Sequence, residues 1–484
     1  MENKLFIFIL LSSMLEVLIS KVTILAPKAL KDKFSFPINL KASYSNFGKI
    51  PYGYTLTGRI YFDPDNLIED MACNPITTIK VNKDPSIDTV PIVLIDRGSC
   101  NFVDKVKNVE DIGGHVALIV DNRPNEDPTY VIMSDDSKRH GEKVNIPALL
   151  ISFEDGKVLK DFYRENKENK AVLDNMILQI EFEMEHTKNK VDYSIYFSSE
   201  YFNIYKTLKE LYHYHKHLSE NTHLKPYYMT FKDISGKESP NCYSNGNYCI
   251  SPRFDLGIND GRLILKENIR QKCVYNYSYK EKQNSTDYYW NYMGKFHDKC
   301  IGNGTEALNF NDACANSVLK DINLEVNDIN GCISQSFDLT PATNESEFNT
   351  KENKILAKDR EARNEHNIWL IPTILINNRT FWGTWKGENI FEAICASFKN
   401  KPTVCFDEGA FKKEKSSSLT GLSNGSLLLI IFMIIFFNLI IFLVCRKYIK
   451  RKIAQKVEDT DINHRINTVV TSYLALKETK YIEK

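Results

Sequence analysis

Cysteine is the residue type whose number and spacing bear most directly on chemistry here. The chain has eleven cysteines, and none of them forms the Cys-x-x-Cys pair that thiol-exchange enzymes use. Ten precede an apolar segment near the C-terminus, and an even set in an oxidising compartment indicates structural disulfides of open connectivity. These ten are Cys73, Cys100, Cys242, Cys249, Cys273, Cys300, Cys314, Cys332, Cys395 and Cys405.

Other catalytic or metal-binding patterns are missing from the sequence. There is no Gly-x-Ser-x-Gly, no His-Glu-x-x-His and no phosphate-binding glycine loop. His213, His215 and His217 alternate on a segment with a helical pattern, so they point around a helix, and we expect them to face solvent. We therefore predict no catalytic residue, no metal site and no cofactor. The 62 basic and 62 acidic side chains balance, which gives no indication of nucleic-acid binding.

Both ends of the chain predict a membrane topology. Residues 1–20 have a charged start, a short apolar core and a small residue at the end, the pattern of a cleaved signal peptide. Residues 427–445 are uncharged and long enough to cross about 30 Å of hydrocarbon as a helix. Basic residues follow at once, which predicts a cytosolic tail over 446–484 and a type I orientation. Cys445, at the edge of this span, is either a palmitoylation site or an ordinary cysteine.

The tail contains one short recognition motif. Tyr473-Leu474-Ala475-Leu476 follows the Tyr-x-x-Φ pattern, in which Φ is a bulky apolar residue. Such a peptide can be read in extended form, with one pocket for Tyr473 and another for Leu476. We favour a sorting signal for adaptor binding over an inert tail helix.

The first part of the lumenal chain, residues 21–185, predicts a small α/β domain. Apolar runs at 91–95, 116–120, 146–152 and 176–182 are typical of buried strands. Apolar residues at helical spacing from Phe102 to Val109 predict a helix that ends at Gly113-Gly114. Long loops leave the ends of these strands, where binding sites usually lie.

The second part, residues 191–405, is rich in tyrosine, lysine and cysteine. Its segment 369–381 predicts a β-hairpin with an Asn-Asn turn, and Ile390, Ile394 and Phe398 predict a following helix. Residues 406–426 form a short Ser- and Gly-rich stalk. Five sequons fit a glycosylated lumenal surface, at Asn276, Asn284, Asn303, Asn344 and Asn378.

Several of these segments resemble known families. The Ile-Pro-Thr context at Pro372 resembles thioredoxin-like domains, many of which place a cis-proline before such a hairpin. Residues 93–102 and 117–124 resemble the centre of a protease-associated domain. Together with 242–249, 261–274, 371–378, 393–398 and the tail motif, they resemble the plant vacuolar sorting receptors over roughly residues 24–405.

This resemblance implies a fold and a function. It implies α/β lumenal domains, a protease-associated domain followed by a thioredoxin-like disulfide-bonded region, with one C-terminal transmembrane helix. It implies a Golgi and endosomal receptor that binds soluble cargo, such as hydrolases, by sorting peptides, and whose tail binds the medium subunits of clathrin adaptors. Cargo binding is implied for Arg97, Gly98 and Ser99, with a facing acidic loop at Asp135 and Asp136. The resemblance also implies that Cys73 pairs with Cys100.

Two departures from the family limit what the resemblance implies. The family carries epidermal-growth-factor-like repeats before the membrane, and the roughly twenty residues between Cys405 and the predicted span cannot hold them. Several family cysteines before Cys242 are also missing. A structural role in the turn remains an alternative for Arg97, whose rigid fork of donors also suits carboxylate recognition.

Two other classes of protein fit the sequence less well than a cargo receptor does. A secretory-pathway enzyme or redox and folding factor with a protease-associated accessory domain lacks its catalytic motif here. A membrane ubiquitin ligase needs a cytosolic cluster of Cys and His zinc ligands, and the tail offers His464 but no cysteine beyond Cys445.

Overall fold

The computed structural model describes residues 21–34, 39–63, 71–81, 89–135, 140–184, 188–233, 241–254, 257–281, 286–301, 310–340, 344–406, 436, 438–439, 441–452, 464–465 and 467–469. The chain forms two compact units, Met1–Phe406 and Asp407–Lys484. Each unit is described by itself below.

A mixed eight-stranded sheet opens the first unit. Its strands are β1 Lys21–Ala26, β2 Asn39–Leu40, β3 Ala42–Tyr44, β4 Thr55–Tyr61, β5 Val90–Asp96, β6 Val116–Val120, β7 Ala148–Ile151 and β8 Ile177–Glu181. They lie in the order β2-β1-β8-β4-β5-β6-β7-β3. β4 to β7 run parallel, whereas β1, β2, β3 and β8 join by antiparallel pairing.

The parallel centre of this sheet follows from its sequence. β6 and β7 are buried at every position, as is typical of parallel strands that helices cover on both faces. The helices of this domain are α1 Lys28–Lys31, α2 Phe102–Asp111, α3 Phe153–Glu165 and α4 Lys170–Asp174. α2 buries Val103, Val106 and Val109, the residues that predicted it. The predicted strands 91–95, 116–120, 146–152 and 176–182 are confirmed, with ends shifted by at most two residues.

A four-stranded sheet, in the order β10-β9-β13-β14, forms the second domain of this unit. Its strands are β9 Val191–Phe197, β10 Thr222–Tyr228, β13 Thr373–Ile376 and β14 Arg379–Thr380. The parallel strands β9 and β10 are connected by helix α5, Phe202–His215. Strand β13 is antiparallel to both β9 and β14. The predicted hairpin is therefore confirmed, and Asn377 and Asn378 take positive φ values of 47° and 64° in its turn. The helix predicted after it spans Gly387–Ala396.

A helical insertion separates β10 from β13. It contains a short hairpin formed by β11 Cys242–Tyr243 and β12 Tyr248–Cys249. Its helices are α6 Gly261–Glu281, α7 Asp287–Phe296, α8 Asp312–Asp321, α9 Val326–Ser336 and α10 Lys354–Glu365. The helix after β14, Gly387–Ala396, is α11. Short 3-10 or π turns lie at Pro128–Tyr130, His140–Lys143, His297–Ile301, Glu345–Asn349 and Thr403–Cys405.

The core of this insertion is polar as well as aromatic. Glu267 and Arg270 on α6 form a buried ion pair, with side chains 2% and 3% exposed. Tyr292 donates to Glu267 at 3.0 Å, and Gln271 donates to both Glu267 and Tyr205 at 2.9 Å. Burial raises the pKa of Glu267, although the neighbouring Arg270 opposes that rise.

The ten cysteines of the first unit form five disulfides. Their connectivity, which spacing alone left open, is Cys73–Cys100, Cys242–Cys249, Cys273–Cys332, Cys300–Cys314 and Cys395–Cys405. Cys445, in the second unit, is unpaired and exposed. Three bridges lie inside the helical insertion. Cys242–Cys249 closes the β11–β12 hairpin, Cys273–Cys332 joins α6 to α9, and Cys300–Cys314 joins the turn after α7 to α8.

The expectation that the three alternating histidines face solvent is wrong for one of them. His215 is 5% exposed, and its ring lies 2.8 Å from Tyr193 Oη and 3.0 Å from Thr286 Oγ1. Burial lowers its pKa to about 4. Tyr193 and Thr286 each supply a hydrogen-bond partner to one ring nitrogen, which is how a buried neutral imidazole is satisfied. No group of three metal-ligating side chains occurs among the described residues.

The second unit is described only in short stretches, of which 441–452 is helical. Within the described residues, no helix combines the length and the apolar character that a membrane span requires. Most of the predicted span 427–445 and all of the predicted signal peptide 1–20 lie outside the described residues. So do Asp136, Asn284, Asn303, Tyr473 and Leu476.

Candidate functional site

The loop that carries Arg97, Gly98 and Ser99 follows β5 at the carboxyl edge of the parallel strands. The Arg97 N–H donates to the Val120 carbonyl at 2.9 Å, which continues the pairing of β5 with β6. Gly98 has φ 126°, a conformation that favours glycine, and a Cβ there would meet Met71 Sδ at 2.9 Å. Ser99 is exposed, and the Cys73–Cys100 disulfide closes the loop. The loop is thus held at its base and open at Ser99.

The Arg97 side chain is held by its own domain. Its Nη1 donates to both carboxylate oxygens of Asp121 at 3.1 Å, and its guanidinium lies 5.6 Å from the centre of the Phe102 ring. Asp121 has a fully buried carboxylate, whereas the Arg97 side chain is 23% exposed. This geometry fits the structural alternative for Arg97 and leaves part of its side chain at the surface.

Asp135 lies at the other edge of the sheet. Met133 pairs with Ser45, whose N–H donates to the carbonyl of Ala148 at the start of β7. Arg97, by contrast, is level with the end of β7, because β5, β6 and β7 are in parallel register. Asp135 is therefore about six residues, or roughly 20 Å, from Arg97 along the strand direction. Asp135 therefore does not lie beside Arg97, and Asp136, the other acidic residue of the implied loop, lies outside the described residues.

A cleft of about 380 Å³ lies between the first and second domains, and Asp135 is on its wall. The first domain contributes Asn46, Ile132, Ser134, Asp135 and Glu142. The second domain contributes the start of α5, the loop around Pro372 and the segment after β14, namely Tyr201, Asn203, Ile204, Thr207, Leu370, Ile371, Pro372, Thr373, Thr380, Phe381, Trp382, Thr384 and Trp385. Two of the predicted site residues, Asp135 and Pro372, thus line the same cleft. The Ile371–Pro372 peptide bond is cis.

The segment after β14 forms hydrogen bonds with the first domain, and these bonds hold the two walls of the cleft together. The N–H groups of Gly383 and Thr384 donate to the carbonyls of Ser45 and Gly48 at 2.9 and 2.8 Å. Tyr52 Oη donates to the Trp382 carbonyl at 3.1 Å and accepts from the Trp382 N–H at 2.7 Å.

Side chains continue the same contact at the cleft wall. Thr384 Oγ1 donates to the Gly141 carbonyl at 3.2 Å, and Lys386 Nζ donates to the Glu142 carbonyl at 2.9 Å. The Asp135 carboxylate accepts from the Gly141 N–H at 2.8 Å, which holds this carboxylate in place beside the cleft.

The start of α5, beside Pro372, is where thioredoxin-like enzymes hold their reactive thiols at a helix start. Here Ser198, Ser199, Glu200 and Tyr201 join β9 to the helix. Asn268 binds this segment from α6, accepting from the Ser199 N–H at 2.8 Å and donating to Ser198 Oγ at 3.1 Å. Burial raises the pKa of Glu200. None of the residues described in this segment or in the cleft wall carries a thiol.

The described sequon residues share one property. Asn276, Asn344 and Asn378 are exposed, as carrying a glycan requires. None of them lines the cleft.

Sequence reasoning did not find the aromatic wall of the cleft. Trp382 and Trp385 stand directly after the predicted hairpin, but their partners Tyr52 and Thr207 lie more than 170 residues earlier. Only the sheet order and the packing of two domains bring them together.

Comparisons with known proteins agree with the two-domain arrangement. The chain matches the vacuolar sorting receptor thioredoxin-like domain over residues 193–395 and the PA domain over residues 66–159. It is 25% identical over 414 residues to vacuolar-sorting receptor 1 of Pisum sativum and 26% identical over 414 residues to vacuolar-sorting receptor 6 of Arabidopsis thaliana. Each alignment covers 80% of this chain and 60% of the relative, so the chain spans about 60% of the length of these relatives. A receptor homology region, transmembrane domain- and RING domain-containing protein 1 of Oryza sativa subsp. japonica is 38% identical over 91 residues, which cover 19% of this chain and 15% of that protein.

Proposed function

The chain belongs to the vacuolar sorting receptor family, and from this premise we propose that it is a non-enzymatic membrane receptor that binds soluble cargo proteins in the Golgi lumen. It would sort them to a vacuolar, lysosomal or endosomal compartment. The observation that carries the proposal is the co-occurrence of the PA domain and the receptor-type thioredoxin-like domain, in that order, within one compact unit.

The rest of the proposal concerns topology and transport. A signal peptide at 1–20 and a span at 427–445 would place residues 21–426 in the lumen and 446–484 in the cytosol. Tyr473 and Leu476 would bind the medium subunits of clathrin adaptors, and the receptor would cycle between Golgi, trans-Golgi network, endosomal or prevacuolar membranes and the plasma membrane. Cargo, in our proposal soluble hydrolases, would be recognised by its sorting peptides.

For the cargo site we retain Arg97, Gly98 and Ser99. The exposed Ser99 and the partly exposed Arg97 side chain support a contact at this edge. Asp135 and Asp136 stay in the proposal as cargo-binding residues, and the sheet register, which separates Asp135 from Arg97 along the strand direction, supports a contact apart from the Arg97 loop.

The alternative is a secretory-pathway enzyme or a redox and folding factor. The thioredoxin-like sheet and the cis-proline beside α5 are the features that favour it. Ser198 to Tyr201 at the helix start and the pairing of all ten cysteines in the first unit weigh against it. A thiol-exchange assay that gives a positive result with the full chain would favour this alternative.

Cargo recovery tests the receptor proposal. The tagged full chain, purified in detergent, should retain soluble hydrolase activity from a lumenal fraction, and Arg97→Lys should retain several-fold less. Lysine keeps the charge near Asp121 but loses the bidentate fork. Arg164→Lys, at a surface pair with Asp161, is the matched control and should match wild type. Equal recovery by all three proteins would remove the Arg97 assignment, and no recovery by wild type would remove the receptor proposal.

Localisation tests the tail. In cells, Tyr473→Ala should leave the receptor at the cell surface or in the Golgi, because the adaptor pocket for tyrosine stays empty. Tyr481→Ala, a tyrosine of the same tail outside the motif, is the control and should localise normally. An unchanged distribution of Tyr473→Ala would contradict the sorting role of this motif.

A further inference from the structure

We propose that a helical segment of the second unit, residues 446–452, binds the anionic phospholipid headgroups of the membrane in which the chain is anchored. This inference rests on the proposed topology, in which the span ends at Cys445 and the tail that follows is cytosolic. The lipid surface would be a further partner of the receptor, beside its cargo and its adaptors. Residues 446–452 are called the basic segment below.

The basic segment concentrates positive charge without neutralising it. Five of its seven residues are cationic and exposed, and none of the five forms an ion pair with a carboxylate that the structure describes. They are Arg446, Lys447, Lys450, Arg451 and Lys452. Like charges four residues apart weaken a helix, so the pairs Arg446 with Lys450 and Lys447 with Arg451 oppose the helix to which they belong. Bound anions would remove that repulsion.

The cations are gathered on one side of the helix. Residues 441–452 are helical, and successive residues of an α-helix are about 100° apart. Four of the five cations, all except Lys452, therefore fall within an arc of about 140°. Tyr448 and Ile449 lie outside this arc and are 60% and 55% exposed, and Lys452 Nζ lies 5.6 Å from the centre of the Tyr448 ring. A basic side next to a tyrosine and an isoleucine suits a helix at a membrane–water interface.

The N-terminal end of the same helix is apolar and uncovered. Residues 441–444 are between 53% and 62% exposed within the described structure. Hydrocarbon suits such a surface, so the change to basic residues at Arg446 would mark the edge of the hydrocarbon. Continued along the bilayer normal, the helix rises about 9 Å from Arg446 to Lys452. The headgroup layer is about 5 to 7 Å deep, so the five cations would lie within it or just beyond it.

The residues after the basic segment limit the extent of the contact. Glu458, Asp459 and Asp461 form an acidic stretch, which an anionic surface repels. The charge pattern would therefore hold residues 446–452 at the membrane and leave the distal tail, with the Tyr473 motif, in the cytosol.

A lipid surface suits the basic segment better than a free phosphate ion does. Headgroups are already concentrated at the depth of these side chains, so little translational freedom is lost when they bind. One basic residue near an anionic surface strengthens the attraction by about fivefold, and five act together there. A free phosphate ion contacts one or two of them and loses its own translational freedom.

The lipid preference of the wild-type chain tests the proposal without any substitution. The full chain is reconstituted into phosphatidylcholine vesicles that carry either spin-labelled phosphatidylserine or spin-labelled phosphatidylcholine. Electron spin resonance measures the fraction of each lipid that is immobilised at the protein. Both leaflets carry the label, so the orientation of the chain does not matter. Phosphatidylserine should associate at least about threefold more strongly in dilute salt. The preference should disappear in about 1 M NaCl, where the Debye length is about 3 Å.

Substitutions test whether the preference comes from the basic segment. Glutamine at all five cationic positions removes the charge, keeps the helix propensity and should abolish the preference. This variant carries Arg446→Gln, Lys447→Gln, Lys450→Gln, Arg451→Gln and Lys452→Gln. Arg446→Lys combined with Arg451→Lys keeps the charge and should keep the preference. Lys477→Gln combined with Lys480→Gln, in the tail beyond the Tyr473 motif, is the matched control and should also keep it.

Equal association of the two lipids with the wild-type chain would overturn the proposal, and so would a preference that survives the five substitutions. Inorganic phosphate is compared with NaCl at equal ionic strength. If phosphate removes the preference and NaCl does not, the basic segment binds free anions and the lipid assignment is wrong. A chain that fails to enter the bilayer refutes the proposed topology together with this inference. An inserted chain without lipid preference refutes the inference alone and leaves hydrolase recovery through Arg97 untouched.

Discussion

The two domains of the first unit differ in how they place paired charges. The first domain builds an apolar parallel sheet with Arg97 and Asp135 at its two edges, and there the partly exposed Arg97 covers a buried Asp121. The helical part of the second domain buries a whole ion pair, with Glu267 and Arg270 only 2% and 3% exposed. The comparison teaches that the first domain keeps the cation of its Arg97–Asp121 pair partly exposed, whereas the second domain buries both members of its pair and so fixes the packing of its core.

The largest loss of stability is expected from a substitution that breaks the buried ion pair of the second domain. Arg270→Met should lower the free energy of unfolding by about 4 kcal/mol, because it leaves the Glu267 carboxylate buried without its cation. Urea unfolding followed by tryptophan fluorescence measures it. Arg262→Met, which removes an exposed partner of Asp260, should cost less than about 1 kcal/mol. If the two substitutions cost the same, burial of the pair would have no structural role.

Removal of the corresponding arginine in the first domain should lower the free energy of unfolding by a smaller amount. Arg97→Ala leaves the buried Asp121 carboxylate without the Nη1 group that donates to both of its oxygens, but Arg123 lies nearby, with Nε 3.7 Å from Asp121. We expect a loss of about 2 to 3 kcal/mol in the same unfolding experiment. Arg97→Lys should recover about half of it. A loss below about 0.5 kcal/mol would mean that Arg97 serves binding alone.

Acid should destabilise the second domain through His215. Its folded pKa of about 4 lies below the unfolded value of 6.5, so the unfolded state binds the extra proton between these values. Its contribution is therefore complete above pH 6.5 and is lost as pH falls towards 4.

Between pH 7.5 and pH 5, this residue alone should lower the free energy of unfolding by about 2 kcal/mol. Urea unfolding of wild type and His215→Gln at both values measures it, and the glutamine variant should lose about 2 kcal/mol less. His217→Gln, exposed on the same segment, is the control and should behave as wild type. Parallel pH profiles of wild type and His215→Gln would refute this account.

The smallest effect concerns the contact between the two domains. Lys49 and Glu392 form an ion pair at 2.7 Å with side chains 42% and 35% exposed. Lys49→Ala should cost less than about 1 kcal/mol, because solvent screens exposed pairs. A larger loss, in a double-mutant cycle with Glu392→Ala, would show that this pair and not the backbone bonds of Gly383 and Thr384 holds the domains together.

The sequence predicted those elements in which a periodic pattern matches the burial. β6 was predicted residue for residue because Val116 to Val120 is an uninterrupted apolar run, and α2 because its valines recur at helical spacing. α6 shows the opposite case. Lys266, Glu267, Asn268, Arg270 and Gln271 are all buried there, so the polar side that normally marks a solvent face lies in the core.

The candidate site shows the same limit. The loop after β5 could be named from its residues, but whether Asp135 faces it depends on the antiparallel addition of β3 beside β7, which no local pattern specifies. The cleft depends on contacts such as Tyr52 with Trp382, separated by 330 residues. His215 was misjudged because its partners Tyr193 and Thr286 come from a neighbouring strand and from the residue that precedes α7.

The hydrogen bonds between Tyr52 and Trp382 also set an order of events during synthesis. The first domain's wall of the cleft leaves the ribosome early, and its opposite wall follows 330 residues later. At about 5 to 20 residues per second, that interval is roughly 20 to 60 s. The cleft is therefore among the last parts of the first unit to form, and the nascent chain has no complete cleft until nearly all of the first unit has been translated.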